Sequence, residues 1–227
     1  MNLATGAPRT RRLRVDAARN QQRILEAARE LFAEHGLEIT LDDVAERAGV
    51  GVGTVYRRFS NKRELIAEVF AERIGEFAQA AEQALETEDP WDAVVWLVEY
   101  ACRHMATNRG FSEVILELGE DIARFDCQRQ RIAPAITALV QRAQAAGVLQ
   151  PGIETSDVFA LIHMVDSLAE FTRPVDPDVW RRYMAIALNG IRAEGVARQP
   201  FAVDALSWDQ LAQAREAKPV PLPGRRR

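Results

Sequence analysis

An alanine at position 45, a glycine at 49 and valines at 44, 50 and 55 set the tightest constraint on this 227-residue chain. Two short helices that cross closely need a small residue where the second packs on the first, and Ala45 supplies it. The chain must then reverse sharply, and Gly49 permits the positive φ that a Cβ resists. Val44, Ala48, Val50 and Val55 form the apolar seam between the two helices. Small, turn and apolar residues at this spacing fit a helix-turn-helix over about residues 40–59.

The flanking sequence is helical in the same sense. From Asp16 to His35 the apolar residues Ile24, Leu25, Ala28, Leu31 and Phe32 recur at helical spacing, and Gly36 supplies the stop. Thr40 is a hydroxyl N-cap, followed by Asp42 and Asp43 in a first turn that the helix dipole favours for anions. Ser60 or Asn61 caps a longer helix carrying Leu65, Ile66, Val69, Phe70, Ile74 and Phe77 to about Leu85. Further helices are expected at about 90–108, 110–122, 125–146, 155–172 and 176–194, with some helix near 203–217. No alternating strand pattern of useful length occurs, and the fold class is all-α. The expected organisation is a flexible basic arm at 1–15 and a three-helix domain at 16–65. A helical bundle at 66–195 and a partly disordered extension at 196–227 follow.

Composition narrows the function classes. No stretch approaches the ~20 apolar residues of a membrane span, and the first fourteen residues lack the apolar core of a secretory signal. Cys102 and Cys127 make neither a disulfide framework nor a metal-ligand spacing. The default expectation is a soluble, cytoplasmic protein that does not engage membranes. The net charge of −4 conceals a split: residues 1–65 carry 12 Arg/Lys against 9 Asp/Glu, and the remainder 17 against 24. Arg9, Arg11, Arg12, Arg14 and Arg19 face Asp16 alone in the first twenty residues. This asymmetry suggests a nucleic-acid-binding head on an acidic body, with a solvated disordered terminus as the bland alternative.

The second helix of the unit would lay its first turns in a DNA major groove. Its exposed face offers Thr54, Tyr56, Arg57 and Arg58, types that hydrogen-bond phosphates and read guanine edges. Gly51 and Gly53 let the backbone approach closely, with Val52 between them. Lys62 stands in the first turn of the next helix, where the dipole disfavours a cation and a nearby phosphate would explain it. The glycine run 49–53 is not a nucleotide loop, because no apolar strand precedes it and neither G-x-G-x-x-G nor Gly-Lys-Ser/Thr is present.

Residues 20–70 resemble the amino-terminal domain of the TetR/AcrR family of transcriptional regulators. The resemblance rests on Ile24-Leu25-Glu26-Ala27-Ala28, Leu31-Phe32, Gly36 and Thr40-Leu41-Asp42-Asp43-Val44-Ala45. It continues through Ala48-Gly49-Val50, Gly53-Thr54-Val55-Tyr56-Arg57-Arg58-Phe59 and Lys62-Arg63-Glu64-Leu65. It implies a homodimer on a palindromic operator and a carboxy-terminal helical domain for a small-molecule effector. By matching position it implies phosphate or base contacts at Thr40, Thr54, Tyr56, Arg58 and Lys62. With Gly51, Val52 and Arg57 these make the expected DNA-contacting set. Arg58 departs from the histidine that the family often has, adding a fixed charge. In this context Arg9, Arg11, Arg12 and Arg14 are candidates for the adjacent minor groove.

The second half offers less chemistry. Trp96, Tyr100 and His104 share one helix face. They join Glu117, Asp121, His163 and Glu170 as the candidate effector pocket, although an aromatic stripe at helical spacing is more often core. The resemblance makes helices 155–172 and 176–194 the dimer elements, through Val158, Leu161, Ile162, Val165 and Leu168, then Val179, Tyr183, Ile186 and Leu188. The leading reading is a ligand-released repressor. Alternatives are a DNA-binding regulator with no ligand, constitutive or activating, and a helical enzyme. Three scattered histidines and no nucleophile with an evident base argue against the enzyme. No cofactor and no metal are expected.

Overall fold

The computed structural model describes residues 8–106, 108–116 and 125–217, with side chains for all of these except 8–17, 106, 109, 116 and 129. The described helices are α1 (Pro8–His35), α2 (Leu41–Ala48), α3 (Val52–Arg58), α4 (Lys62–Ala84) and α5 (Pro90–Ala106). They continue as α6 (Arg109–Leu116), α7 (Asp126–Ala145), α8 (Thr155–Thr172), α9 (Trp180–Ile191) and α10 (Trp208–Glu216). A 3-10 turn over Gly36–Glu38 joins α1 to α2. Among the described residues there is no strand, only an isolated bridge between Leu149 and Arg192. The chain is all-α.

Helix ends differ from expectation in two places. α1 starts at Pro8 rather than Asp16, so the second half of the expected arm is helical. Proline is favourable at a first helical position, and the arginines that follow are good helix formers. The side chains of Arg9, Arg11, Arg12 and Arg14 lie outside the described residues. α9 starts four residues later than expected, because the Asp176 carboxylate accepts from the Asp178 N–H at 2.9 Å and holds a turn there.

α1 packs on α2, α4 and α6, while α4 packs on α5 and α7, and α5 on α8. The buried core runs without a break from Ile24 in α1 to Ile191 in α9. The expected domain boundary at 65/66 falls inside α4, whose buried side carries Leu65, Ile66, Val69, Phe70, Ile74 and Phe77. Phe32, Phe70 and Phe111 stack across α1, α4 and α6 at centroid separations of 5.5 and 6.3 Å. α6 approaches α1 closely at Gly110, where a Cβ would lie 2.8 Å from the Phe32 carbonyl oxygen. Arg131 pairs through two nitrogens with Glu82 at 2.7 and 2.6 Å, joining α7 to α4 and holding the Glu82 carboxyl below its ordinary range. Arg142 donates to the carbonyls of Leu85, at 2.6 Å, and Thr87, which satisfies the end of α4.

Candidate nucleic-acid interface

The interface is built from the turn between α2 and α3. Thr40 caps α2 in a reciprocal box: its hydroxyl accepts from the Asp43 N–H at 3.2 Å, and its own N–H donates to the Asp43 carboxylate at 2.7 Å. At the other end Gly49 has φ 61° and ψ 40°, and the Val50 N–H reaches back to the Ala45 carbonyl at 3.1 Å. Val44, Ala45, Ala48 and Val55 are buried between the helices, as the spacing predicts.

Two cations tie this unit to α1. Arg23 of α1 donates to the Gly49 carbonyl at 3.2 Å, and its guanidinium fills the space a Gly49 Cβ would take. Arg47 of α2 pairs with Glu30 and Glu34 of α1 at 3.1 and 3.3 Å. No local signal in the sequence marks Arg23, because its partner is 26 residues away and an arginine in an amphipathic helix is otherwise ordinary.

α3 leaves its polar face to solvent. Gly51, Val52, Tyr56, Arg57 and Arg58 are exposed, and Thr54 is half-buried. The negative charge of the nearby Asp42 carboxylate pushes the Tyr56 pKa above the ordinary tyrosine value. Arg57 lies back along its own helix, its Nε donating to the Gly53 carbonyl at 3.0 Å. Arg58 reaches Glu68 of α4 at 3.6 Å and lies over the buried Phe59 ring at 5.0 Å.

Thr40 and Lys62, two further expected contacts, also have partners within the protein. Both donors of Thr40, its N–H and its hydroxyl, go to the Asp43 carboxylate at 2.7 Å. The Lys62 ammonium donates to the Leu37 carbonyl at 2.6 Å. A carbonyl at the end of the 3-10 turn therefore explains a cation in the first turn of α4, and no phosphate is needed for that purpose. The same residue is held from its other side, where the Leu37 N–H donates to the Glu113 carboxylate of α6.

The expected pocket residues fall into two groups. Trp96, Tyr100 and His104 stack in a column at 5.5 and 4.3 Å, with Phe77 of α4 6.2 Å from Tyr100. Burial raises the Tyr100 pKa and lowers that of His104, with Arg73 adding to the effect on the histidine. His163 and Glu170 instead line a cavity of about 90 Å³ between α6 and α8, with Ser112, Glu113, Asp166, Ser167 and Arg173. Asp166 is buried and accepts from the Ser112 hydroxyl, and its carboxyl is pushed upward, chiefly by burial. Glu117 and Asp121 lie outside the described residues. Among the described residues no His, Cys, Asp and Glu are grouped so as to hold a metal ion, and no helix is long and apolar enough to cross a membrane.

A capped helix-turn-helix whose second helix bears exposed Tyr and Arg side chains, fixed on a helical body, defines the class of helix-turn-helix DNA-binding regulators. Residues 24–69 match the family described as bacterial regulatory proteins of the tetR family, and residues 89–193 match the carboxy-terminal domain of SbtR-like transcriptional regulators. The HTH-type regulator TtgW of Pseudomonas putida is 35% identical over 112 residues, 49% of this chain and 83% of its own. SrpR of the same species is 35% identical over 112 residues, which span 52% of its length. A TetR regulator of Streptomyces coelicolor with 27% identity aligns over 77% of this chain and 99% of its own at a TM-score of 0.50. SmeT, the repressor of the Stenotrophomonas maltophilia efflux pump SmeDEF, shares the fold at a TM-score of 0.57 and 22% identity, over 83% of this chain and all of its own. The chain belongs to the TetR family and is a DNA-binding transcriptional regulator, not an enzyme.

Proposed function

We propose that the protein is a homodimeric repressor of a palindromic operator, released by a small effector bound between α6 and α8. In this reading each protomer lays α3 in a major groove, half-sites about one DNA turn apart. Tyr56 and Thr54 serve phosphates, Arg57 swings off its own helix to read a base, and Arg58 adds charge toward the backbone. Gly51 and Val52 bring the start of α3 close to the DNA. Lys62 keeps two N–H donors beyond the one given to Leu37, enough for a phosphate beside it. Thr40 serves by capping, since a phosphate would have to displace Asp43.

The observation that carries the ligand-responsive reading is the position of α6. Its adjacent residues Ser112 and Glu113 hold different bodies: Ser112 binds Asp166 of α8 at the cavity, and Glu113 binds the Leu37 N–H just ahead of α2. A ligand that reshapes the cavity wall thus acts on a helix attached to the DNA-binding unit. The cavity's polar lining suits a small polar effector, and its size is well below the ~300–1,000 Å³ usual for drug-sized ligands. That size favours, as a second reading, a regulator that works without an effector.

Selection of bound duplexes from a random pool by the purified protein tests the operator. Enrichment of a two-fold symmetric site is expected, and an asymmetric or absent consensus contradicts the dimer reading. Operator affinity is then measured against a ligand panel. Coupling requires that a ligand which weakens DNA binding is itself weakened by DNA to the same factor. An affinity unmoved by every saturating ligand supports the effector-free reading instead.

A further inference from the structure

Residues beyond α9 fall outside the segment that matches the SbtR-like domain, which ends at 193. They are nevertheless firmly seated. The buried Asn189 side chain of α9 exchanges two hydrogen bonds with the Gln199 backbone, both 2.9 Å. Arg182 donates to the Val203 carbonyl at 2.9 Å and lies 4.5 Å above the Phe201 ring. α10 then has its own start signal, a capping box between Ser207 and Gln210, and packs on α8 with Ala214 buried. A chain end held at this many points is a structural element with a defined surface.

That surface is apolar where it should not be in a lone protomer. Trp208, in the first turn of α10, is 81% exposed, more than any other large apolar residue described. Such residues among those described number eight, and two of them, Val52 and Tyr56, lie on the DNA-facing α3. Five of the eight lie on three elements that pack on one another: Met164 and Phe171 on α8, Ile186 on α9, and Phe201 and Trp208 on the extension. Met164 and Phe171 are seven residues apart, two turns along one face of α8. The extension bonds α9 and α10 packs on α8, so the exposed tryptophan stands on an element seated against the two helices through which the proposed dimer forms.

We propose that residues 196–217 form a dimer clasp, in which Trp208 packs on the α8/α9 surface of a second copy of this chain. The inference rests on the dimer reading above. Two-fold symmetry makes such a contact occur twice, each protomer giving and receiving one tryptophan. Tryptophan suits the role, because it buries a large rigid surface at low entropic cost and dominates interfaces where it occurs.

The test uses the full-length protein with W208A and W208F, each checked for an unchanged circular dichroism spectrum. Sedimentation equilibrium over a dilution series gives the dimer dissociation constant, and W208A is expected to raise it about tenfold or more. The emission difference between wild type and W208F isolates Trp208 from the other three tryptophans, and is expected to be blue-shifted in the dimer. A wild-type dimer with solvent-like Trp208 emission and an unchanged constant in W208A overturns the clasp and leaves the dimer standing. A wild type that is monomeric at every concentration overturns both.

Discussion

Individual residues of the turn divide between those that build it and those left for DNA. Gly49 builds: a Cβ there meets a left-handed backbone at φ 61° and the Arg23 guanidinium at 2.8 Å. Gly49→Ala is therefore expected to cost about 1–2 kcal/mol, from the left-handed penalty alone, read as a lower midpoint in urea unfolding at constant slope. An unchanged midpoint contradicts the role given to the glycine. Arg57 is free to leave its helix, since its bonds to Gly53 and Thr54 are exposed. Arg57→Ala is expected to cost ~1–3 kcal/mol on the selected operator and to relax preference at one base position. Equal losses on operator and random DNA would assign Arg57 to the backbone instead. Position 62 holds the Leu37 carbonyl and, in the proposed reading, a phosphate as well. Lys62→Ala leaves the Leu37 carbonyl without its partner, so lowered stability is expected alongside a salt slope smaller by about one unit.

At the scale of elements, the local signals were legible and the long-range clamps were not. Thr40, Ala45, Gly49 and Val55 lie within sixteen residues, and each obeys a rule of capping, close crossing or left-handed turning that acts on neighbours in the chain. The end of α1, the break before α4 and the limits of α8 follow from the same kind of rule. Glu113 is different. It is 76 residues from Leu37, and nothing in the pattern of α6 distinguishes it from a solvated surface carboxylate. Ser112 and Asp166 are likewise 54 residues apart. The same limit holds for the aromatic stripe: helical spacing puts Trp96, Tyr100 and His104 on one face without saying which helix that face meets, and Tyr100 meets Phe77 of α4. Asp166 yields a prediction at this scale. A carboxyl whose pKa is raised on folding favours the folded state below its unfolded value, and that contribution is lost as pH rises through the folded value. Asp166→Asn, which keeps an acceptor for Ser112, is expected to raise the melting temperature near pH 7. The gain over wild type should shrink as pH falls toward 4. A gain independent of pH contradicts the cost assigned to the buried charge.

Over the whole molecule, a basic amino-terminal unit is packed without a break in the core onto an acidic helical body. This continuity explains why a chain of net charge −4 serves DNA: the 65 residues that carry the helix-turn-helix have an excess of cations, and the body carries the compensating acids. Beside α4, which runs through both parts, α6 joins them through Gly110 on Phe32 and Glu113 on Leu37. Glu113→Gln keeps a weaker acceptor for the Leu37 N–H. Operator affinity is expected to change modestly while its response to an effector falls, because the helix no longer holds the turn with a charge. Fluorescence anisotropy of labelled operator, titrated with and without the effector, reads both quantities. An effector response equal to that of wild type removes Glu113 from the path.

The most direct measurement is an anisotropy titration of the full-length protein with DNA from upstream of its own gene, beside a random duplex of equal length, at two salt concentrations. The account predicts tight binding to the first, weaker binding to the second, and a steep fall of both with salt, as expected for several phosphate contacts. Operator selectivity should be reduced in Arg57→Ala, through relaxed preference at one base position, while the salt dependence remains. No binding to either duplex at low salt would contradict the assignment of α3 as a DNA-reading helix.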